Sequence, residues 1–413
     1  MSKTFEDVNM GNPFKNQIDT WEIYRQFPEE VIIKDRNIFD FSIVKACANK
    51  LVVVWSEYYP EIDEEVNIYS CCYGNEKCPK PMILYKGHYA NPYIKIAVGR
   101  NCKIHLLLTH SRGLPNKLVL KTYNGTSWET ETKIADVESF TFGHNIIASQ
   151  KSEKIYVIFG DYREWHTFPY IFTAIFTGHT AKEFGKLYLI EGNGISWSEP
   201  RKITKTGRFS ALNPSICLND KMNILHIVWE DERLGFWKKA IYYDFFDGNN
   251  FSGNKRISGK VRGASLPLMA CDNRNNIYVV WSAFNKNDID KLYFREKINN
   301  SWSDVIELAS KGIINSVATD TLGNVHFVWD DSSQIYYKIK TKSFWTKTVT
   351  FIGNKARICI DEANDVHFLL LRRKEQKKYT LIYNRLQYKS LLRKRKKGGC
   401  SDPPPGWTYF SPF

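Results

Sequence analysis

One short pattern, repeated seven times, constrains this chain more than any other feature. Runs of β-type residues ending in a large apolar side chain occur at Leu51 to Trp55, Ile104 to Leu108, Ile155 to Phe159, Leu225 to Trp229, Ile277 to Trp281, Val325 to Trp329 and Val366 to Leu370. Their last residues stand 53, 51, 70, 52, 48 and 41 apart, a mean of about 52. β-rich units of that length are the sequence signature of propeller blades.

A second landmark follows each run. A strand such as Lys186-Leu-Tyr-Leu, Ala240-Ile-Tyr-Tyr, Lys291-Leu-Tyr-Phe or Gln334-Ile-Tyr-Tyr begins 11 residues before a large side chain, namely Trp197, Phe251, Trp302 and Trp345. Lys117 and Trp128 keep the same spacing, and Asn67 to Cys78 and Thr380 to Leu391 keep it with weaker final residues. Six residues beyond the anchor stand Leu84, Ile134, Ile203, Ile257, Leu308 and Phe351. Each unit therefore predicts four antiparallel strands joined by hairpins. Asn124-Gly125, Asn193-Gly194, Asp247-Gly248 and Asn299-Asn300 supply the turn between the third and fourth strands, where residues tolerant of positive φ are needed.

Phe27-Pro-Glu-Glu-Val-Ile-Ile33 repeats the outer-strand spacing without strands before it, and the seventh copy lacks an outer strand of its own. Residues 27 to 34 are therefore expected to complete the last blade, which joins the two ends of the ring and removes its seam. The expectation is an all-β, seven-bladed β-propeller over 27–388, preceded by an arm (1–26) and followed by a tail (389–413) with the basic run Arg393 to Lys397 and Pro403 to Pro405. One blade carries an insertion of roughly 160 to 185, which includes Trp165, His166, Tyr170 and His179.

The repeat resembles the bacterial sialidase-like and Asp-box (BNR-type) propeller proteins. The resemblance rests on Asp320-Thr-Leu-Gly-Asn-Val-His-Phe-Val-Trp-Asp-Asp331, and on Trp229-Glu-Asp-Glu-Arg233 followed by Ile241-Tyr-Tyr243. The boxes are degenerate. Gly125 to Trp128 and Gly194 to Trp197 keep the Gly and Trp, but Lys121 and Tyr123, or Ile190 and Gly192, hold the Ser and Asp positions. A sialidase would also imply three arginines for a substrate carboxylate, a Tyr with a Glu as nucleophile pair, and an acid Asp. The resemblance specifies fold far more than function, because one propeller scaffold hosts enzymes, lectins and scaffolds.

The remaining chemistry is read from side chains placed in phase with the repeat. His105, His226, His326 and His367 occupy the second position of the Trp-ended strand, and packing with a hydrogen bond explains them more simply than a metal ring. Cys47, Cys217, Cys271 and Cys359 fall on the innermost strands as small core residues, and Cys71, Cys72 and Cys78 form the tightest cysteine cluster without a C-x-x-C spacing. Asp161 with Arg163 and Asp231 with Arg233 recur after the second strand, and Glu57 and Asp331 stand alone there. These residues share the channel mouth with Arg208, Arg262 and Arg357. Guanidinium forks suit carboxylate, sulfate or phosphate, although bridges that pin each loop are the simpler role for the Asp and Arg pairs. Tyr58, Trp165 and Trp237 are the aromatics expected to stack on sugar faces.

The chain of 413 residues carries 58 Lys and Arg against 44 Asp and Glu, a formal +14, but it shows no nucleic-acid motif beyond charge. No stretch of 18 apolar residues and no secretory signal is present, and nine cysteines suit reduced thiols, so a cytoplasmic monomer is expected. Its Lys, Asn and Ile content fits an AT-rich bacterial genome. The reading is a non-enzymatic binding or scaffold module without cofactor or metal, which recognises a glycan or protein surface at one channel mouth. The alternative is a sialidase-like glycoside hydrolase acting on acidic sugars through Glu57, Asp161, Glu230, Asp231, Asp330 and Asp331.

Overall fold

A computed structural model describes residue 14 and residues 17–46, 50–62, 64–73, 81–88, 92–110, 116–137, 143–161, 185–205, 210–235, 238–284, 291–375 and 377–389. These residues form seven antiparallel sheets in chain order, each built as the repeat predicts. Blade 1 runs from an inner strand, Ile38–Lys45, through Leu51–Tyr59 and Glu65–Tyr73 to Met82–His88. The inner strands of blades 2 to 7 are Lys95–Val98, His144–Ala148, Ala211–Asn219, Ala264–Cys271, Ile313–Thr319 and Lys355–Ile360.

The ring closes through the N-terminal segment. Glu30–Arg36 pairs antiparallel with Lys378–Tyr388 of blade 7, with Val31 opposite Ile382, and Tyr24–Gln26 extends that edge. The closing strand thus reaches Arg36 and is supplemented by a second short segment. Upstream, Gln17–Ile18 lies parallel to Trp345–Thr346 of blade 6, and the Phe14 ring meets Trp345 edge-on at 5.1 Å.

The apolar periodicity fills the spaces between blades. Seven hydrophobic clusters occur among the described residues, each drawing on two adjacent sheets. Trp55, Trp229 and Trp281 are fully buried within their second strands, where truncation to Ala would cost about 3–5 kcal/mol. Trp55, Trp229, Trp281 and Trp329 stack on Tyr69, Tyr242, Tyr293 and Tyr336 of the third strand at 5.4 to 6.2 Å. All six outer-strand positions picked from the spacing, Leu84, Ile134, Ile203, Ile257, Leu308 and Phe351, are buried.

The hairpin chemistry also follows the sequence. Asn124, Asn193 and Asp247 each accept two backbone N–H bonds with Oδ1, and Gly125, Gly194 and Gly248 follow at φ of 103°, 91° and 98°. The repeated histidines serve packing. His226, His326 and His367 bond through Nδ1 to Tyr243, Tyr337 and Tyr383 at 2.7 to 2.9 Å, and His105 Nδ1 meets Thr122 at 3.1 Å.

Cysteine chemistry departs from the expectation of thiols reduced throughout. Cys71 and Cys102 are disulfide-bonded, whereas Cys72, Cys217, Cys271 and Cys359 are free. Cys217, Cys271 and Cys359 lie on inner strands as expected, and Cys47 and Cys78 lie outside the described residues.

Candidate functional site

The strand ends that frame one mouth of the channel bind most of their own charges. Trp229 Nε1 donates to Asp231 at 2.8 Å, and Arg233 grips the same carboxylate through Nε at 2.9 Å and Nη2 at 2.7 Å while lying over the Tyr242 ring. This is the loop-pinning bridge that the Asp-x-Arg spacing suggests. In blade 1, Glu57 accepts from Trp55 Nε1 at 3.3 Å and from the Tyr59 hydroxyl at 2.6 Å, and pairs with Arg36 at 3.3 Å. Asp331 accepts from the Ser333 hydroxyl at 2.6 Å and from the Tyr336 hydroxyl at 2.9 Å, bonds that hold its carboxyl well below the usual range. Glu230 bridges Lys239, Asn213 at 3.1 Å and the Leu266 N–H at 3.3 Å. Asp330 accepts from Asn315 at 2.6 Å, and burial outweighs that bond and lifts its carboxyl above the usual range.

A second group of charges comes from the first residues of the inner strands. In blades 1, 4, 5 and 6 the register shifts near the start of these strands, between Ile38 and Asp40, Leu212 and Ser215, Ser265 and Leu268, and Ile314 and Ser316. Such bulges re-aim side chains at a sheet edge. Asp40, only 1% exposed, receives Lys355 Nζ at 2.7 Å and lies 3.6 Å from Arg357 Nη2, both from blade 7. Its other oxygen accepts the Ile94 N–H at 3.0 Å from the segment entering blade 2. Arg357 also donates to the Asn315 carbonyl of blade 6. One carboxylate therefore ties three consecutive blades together.

The cations outnumber it. Lys95, on the inner strand of blade 2, is partly exposed toward the channel and forms no hydrogen bond or ion pair among the described residues. Burial pulls its ammonium down to about 8, Arg357 and Lys355 push in the same direction, and Asp40 opposes them. Burial would raise Asp40, yet Lys355, Arg357 and Lys95 hold it below the usual range. Lys355 is lowered by burial and by Arg357 against the pull of Asp40. His144, at 2% exposure, faces the field of Lys95 and Asp40 with neither ring nitrogen bonded. Burial and Lys95 depress it to about 3, so the imidazole is neutral at physiological pH.

Aromatic rings flank this cluster. Phe39 precedes Asp40 and is 36% exposed; it meets Tyr58 at 5.6 Å and Tyr93 at 5.2 Å, both edge-on. Tyr93, two residues before Lys95, is 51% exposed. The buried Tyr243, Tyr337 and Tyr383 find partners inside their blades, but these rings present apolar faces beside charge, the combination that suits a sugar.

The sequence-picked residues separate accordingly. Arg357 joins the charged cluster and Tyr58 the aromatic group. Asp231 and Arg233 bridge within their loop, Asp331 stays with its own turn, and Asp161 is buried at 1%. Arg262 is exposed and makes no ion pair among the described residues. Arg208, Arg163, Trp165 and Trp237, with most of the 160–185 insertion and the basic tail, lie outside the described residues. Asp40, Lys95, His144, Lys355, Phe39 and Tyr93 were not picked from the sequence. Their signal was a charged residue at the start of an innermost run, where blades 4 and 5 carry Ala211 and Ala264.

No set of three metal-ligating side chains occurs among the described residues. A surface pocket of about 400 Å³ lined by Lys154, Glu191 and Trp197 lies at the third-to-fourth strand turn of blade 3, on the opposite face from the charged mouth.

No family model and no curated protein matches the chain. Among solved structures, a protein of unknown function from Dyadobacter fermentans DSM 18053 aligns with a TM-score of 0.53 at 11% identity, over 89% of this chain and 99% of that one. The polysaccharide lyase Uly1 aligns with a TM-score of 0.55 at 10% identity, over 84% of this chain and 89% of that one. The Hadza microbial sialidase Hz136 aligns over 80% of this chain and 74% of its own at 11% identity, but its TM-score of 0.44 is too low to carry an argument. At these identities the likeness establishes a shared fold: the chain is a seven-bladed propeller similar in architecture to proteins that include a polysaccharide lyase.

Proposed function

We propose that the protein is a non-enzymatic glycan-binding propeller whose channel mouth receives an acidic sugar. The observation that carries this reading is the surplus of cations over carboxylates beside exposed aromatic faces. Lys95, Lys355 and Arg357 surround Asp40, with Asp330 also acting on Lys355, and Phe39 and Tyr93 lie one residue before Asp40 and two before Lys95. A carboxylate or sulfate would supply the missing negative charge, and the rings would stack on the sugar face. The hydrolase alternative needs a carboxylate pair available to substrate. Glu57, Glu230, Asp231, Asp330 and Asp331 are engaged with partners of their own or the adjoining blade, which favours binding over catalysis.

No helix of the described residues is long and apolar enough to cross a membrane. The disulfides at Cys71 and Cys102 favour an oxidising compartment over the cytoplasm expected from the cysteine count.

The test is a glycan array followed by titration calorimetry on its best ligands. Acidic glycans should bind more tightly than their neutral counterparts, and Tyr93→Ala should weaken binding roughly 3- to 10-fold, matching the ~0.5–1.5 kcal/mol of an aromatic contact. Equal affinity for acidic and neutral glycans would overturn the reading, and so would turnover of an acidic glycan without reductant or cofactor.

A further inference from the structure

We infer that Lys95 is a carbonyl-reactive amine, the site of reversible imine formation with a carboxylated aldehyde or ketone that enters the channel, such as the open-chain end of an acidic sugar. The site shares the channel mouth of the proposed glycan site, but reactivity and glycan affinity are separate properties.

Several surface lysines of this ring pair with an acidic neighbour. Lys103 reaches Glu153 at 3.3 Å, Lys133 reaches Asp136 at 2.6 Å, and Lys291 reaches Glu307 at 2.8 Å. Lys95 differs from these in three ways. Its amine has no bonded partner among the described residues, it shares its surroundings with two other cations, and the single carboxylate nearby is already bonded to Lys355, Arg357 and the Ile94 N–H. The neighbouring His144 is neutral with both ring nitrogens unbonded, so it adds no charge to stabilise an ammonium. A partly desolvated lysine beside other cations is the arrangement that yields a nucleophilic amine. The same cations would hold the substrate carboxylate and thereby bring its carbonyl carbon to the amine.

The step balances without an added oxidant or reductant. The neutral amine's lone pair forms the new C–N bond as the carbonyl π bond breaks, and the carbinolamine oxygen then leaves as water with two protons. The C=N bond forms as the C–O bond is lost, and hydrolysis reverses the sequence. With the ammonium at about 8 in place of 10.5, the neutral fraction at pH 7 rises about 300-fold over an ordinary lysine. Lower basicity takes back roughly tenfold or somewhat more, by analogy with the Brønsted slope of thiolates. A preference of about tenfold or more should survive.

The full chain is incubated with glyoxylate and cyanoborohydride, which reduces the imine to a stable secondary amine, and adducts are mapped by peptide mass spectrometry. Glycolaldehyde serves as an uncharged probe of similar size. Lys95 should be labelled at least about tenfold faster than Lys133 or Lys291, glyoxylate should be favoured over glycolaldehyde there, and labelling of the wild type should rise to half its maximum near pH 8. Lys95→Arg should remove the adduct while keeping the charge. Labelling of Lys95 no faster than the surface lysines overturns the inference, whether or not the variant folds, because that rate is read in the wild type. Labelling without glycan binding would leave this inference standing while the glycan reading falls, and binding without labelling would do the opposite.

Discussion

Replacing Asp40 with Asn tests whether one carboxylate holds the start and finish of the ring together. The substitution keeps the shape and one acceptor oxygen but removes the charge that faces Lys355 at 2.7 Å and Arg357 at 3.6 Å. Breaking a buried pair by removing one partner costs about 3–5 kcal/mol, because the other charge stays desolvated. Here the Lys355 and Arg357 side chains keep 29% and 25% of their exposure, so water relieves part of that cost and about 2–3 kcal/mol remains. At ~2.1 cal/mol/K per residue, 413 residues give an unfolding entropy of about 0.9 kcal/mol/K, so the midpoint should fall by roughly 2–4 °C. Scanning calorimetry or urea titration at pH 7 reads this directly. The folded Asp40 carboxyl titrates below its unfolded value of ~3.9, so its contribution is complete above about pH 5 and is lost as pH falls through the folded value. The gap between wild type and Asp40→Asn should therefore shrink on acidification. A loss below about 0.5 kcal/mol at pH 7, or a gap that does not change with pH, would refute the assignment of Asp40 as the charge that ties blade 7 to blades 1 and 2.

Two further outcomes follow from the same site and its surroundings. Lys95→Met should stabilise the ring at pH 7: the depressed ammonium means that the unfolded chain binds more protons between about pH 8 and 10.5, so wild-type stability rises across that window and the variant's advantage disappears above it. The expected gain is about 1–2 kcal/mol, roughly half of what the fall to about 8 would carry at ~1.4 kcal/mol per pH unit, since the side chain still meets channel water, and urea titrations at pH 7 and 10.5 compare the two proteins. Alkylation of denatured protein before and after reduction should show added thiols only after reduction, with Cys71 and Cys102 among them; full reactivity without reductant would return the chain to the reduced state expected from its cysteine count.

The blades were legible because their constraints are periodic. A large apolar residue late in the second strand, a third strand with an aromatic or aliphatic run and an anchor at fixed spacing all serve packing between neighbouring sheets, so they recur from copy to copy. The closing strand was legible for a related reason: Val31 and Ile33 supply a pattern that the last blade lacked, although its extension to Arg36 and the added Tyr24–Gln26 edge were not visible. The charged cluster obeys no such period. Asp40, Lys95, His144 and Lys355 come from four blades, and nothing in their spacing shows that closure brings residue 355 against residue 40. Asp231 with Arg233 could be read as a local bridge because a single residue separates them, whereas Arg357 could be named without its partner.

Closure through Glu30–Arg36 also sets an order in time. Its partner, Lys378–Tyr388, lies more than 340 residues downstream. At ~5–20 residues per second, roughly 20–70 s of synthesis separates the two strands. During that interval the early strand has no strand to pair with, while the blades between can each form from contiguous chain. Contacts so distant in sequence form slowly. The ring should therefore assemble blade by blade as an open arc, whose last event is the capture of its first strand.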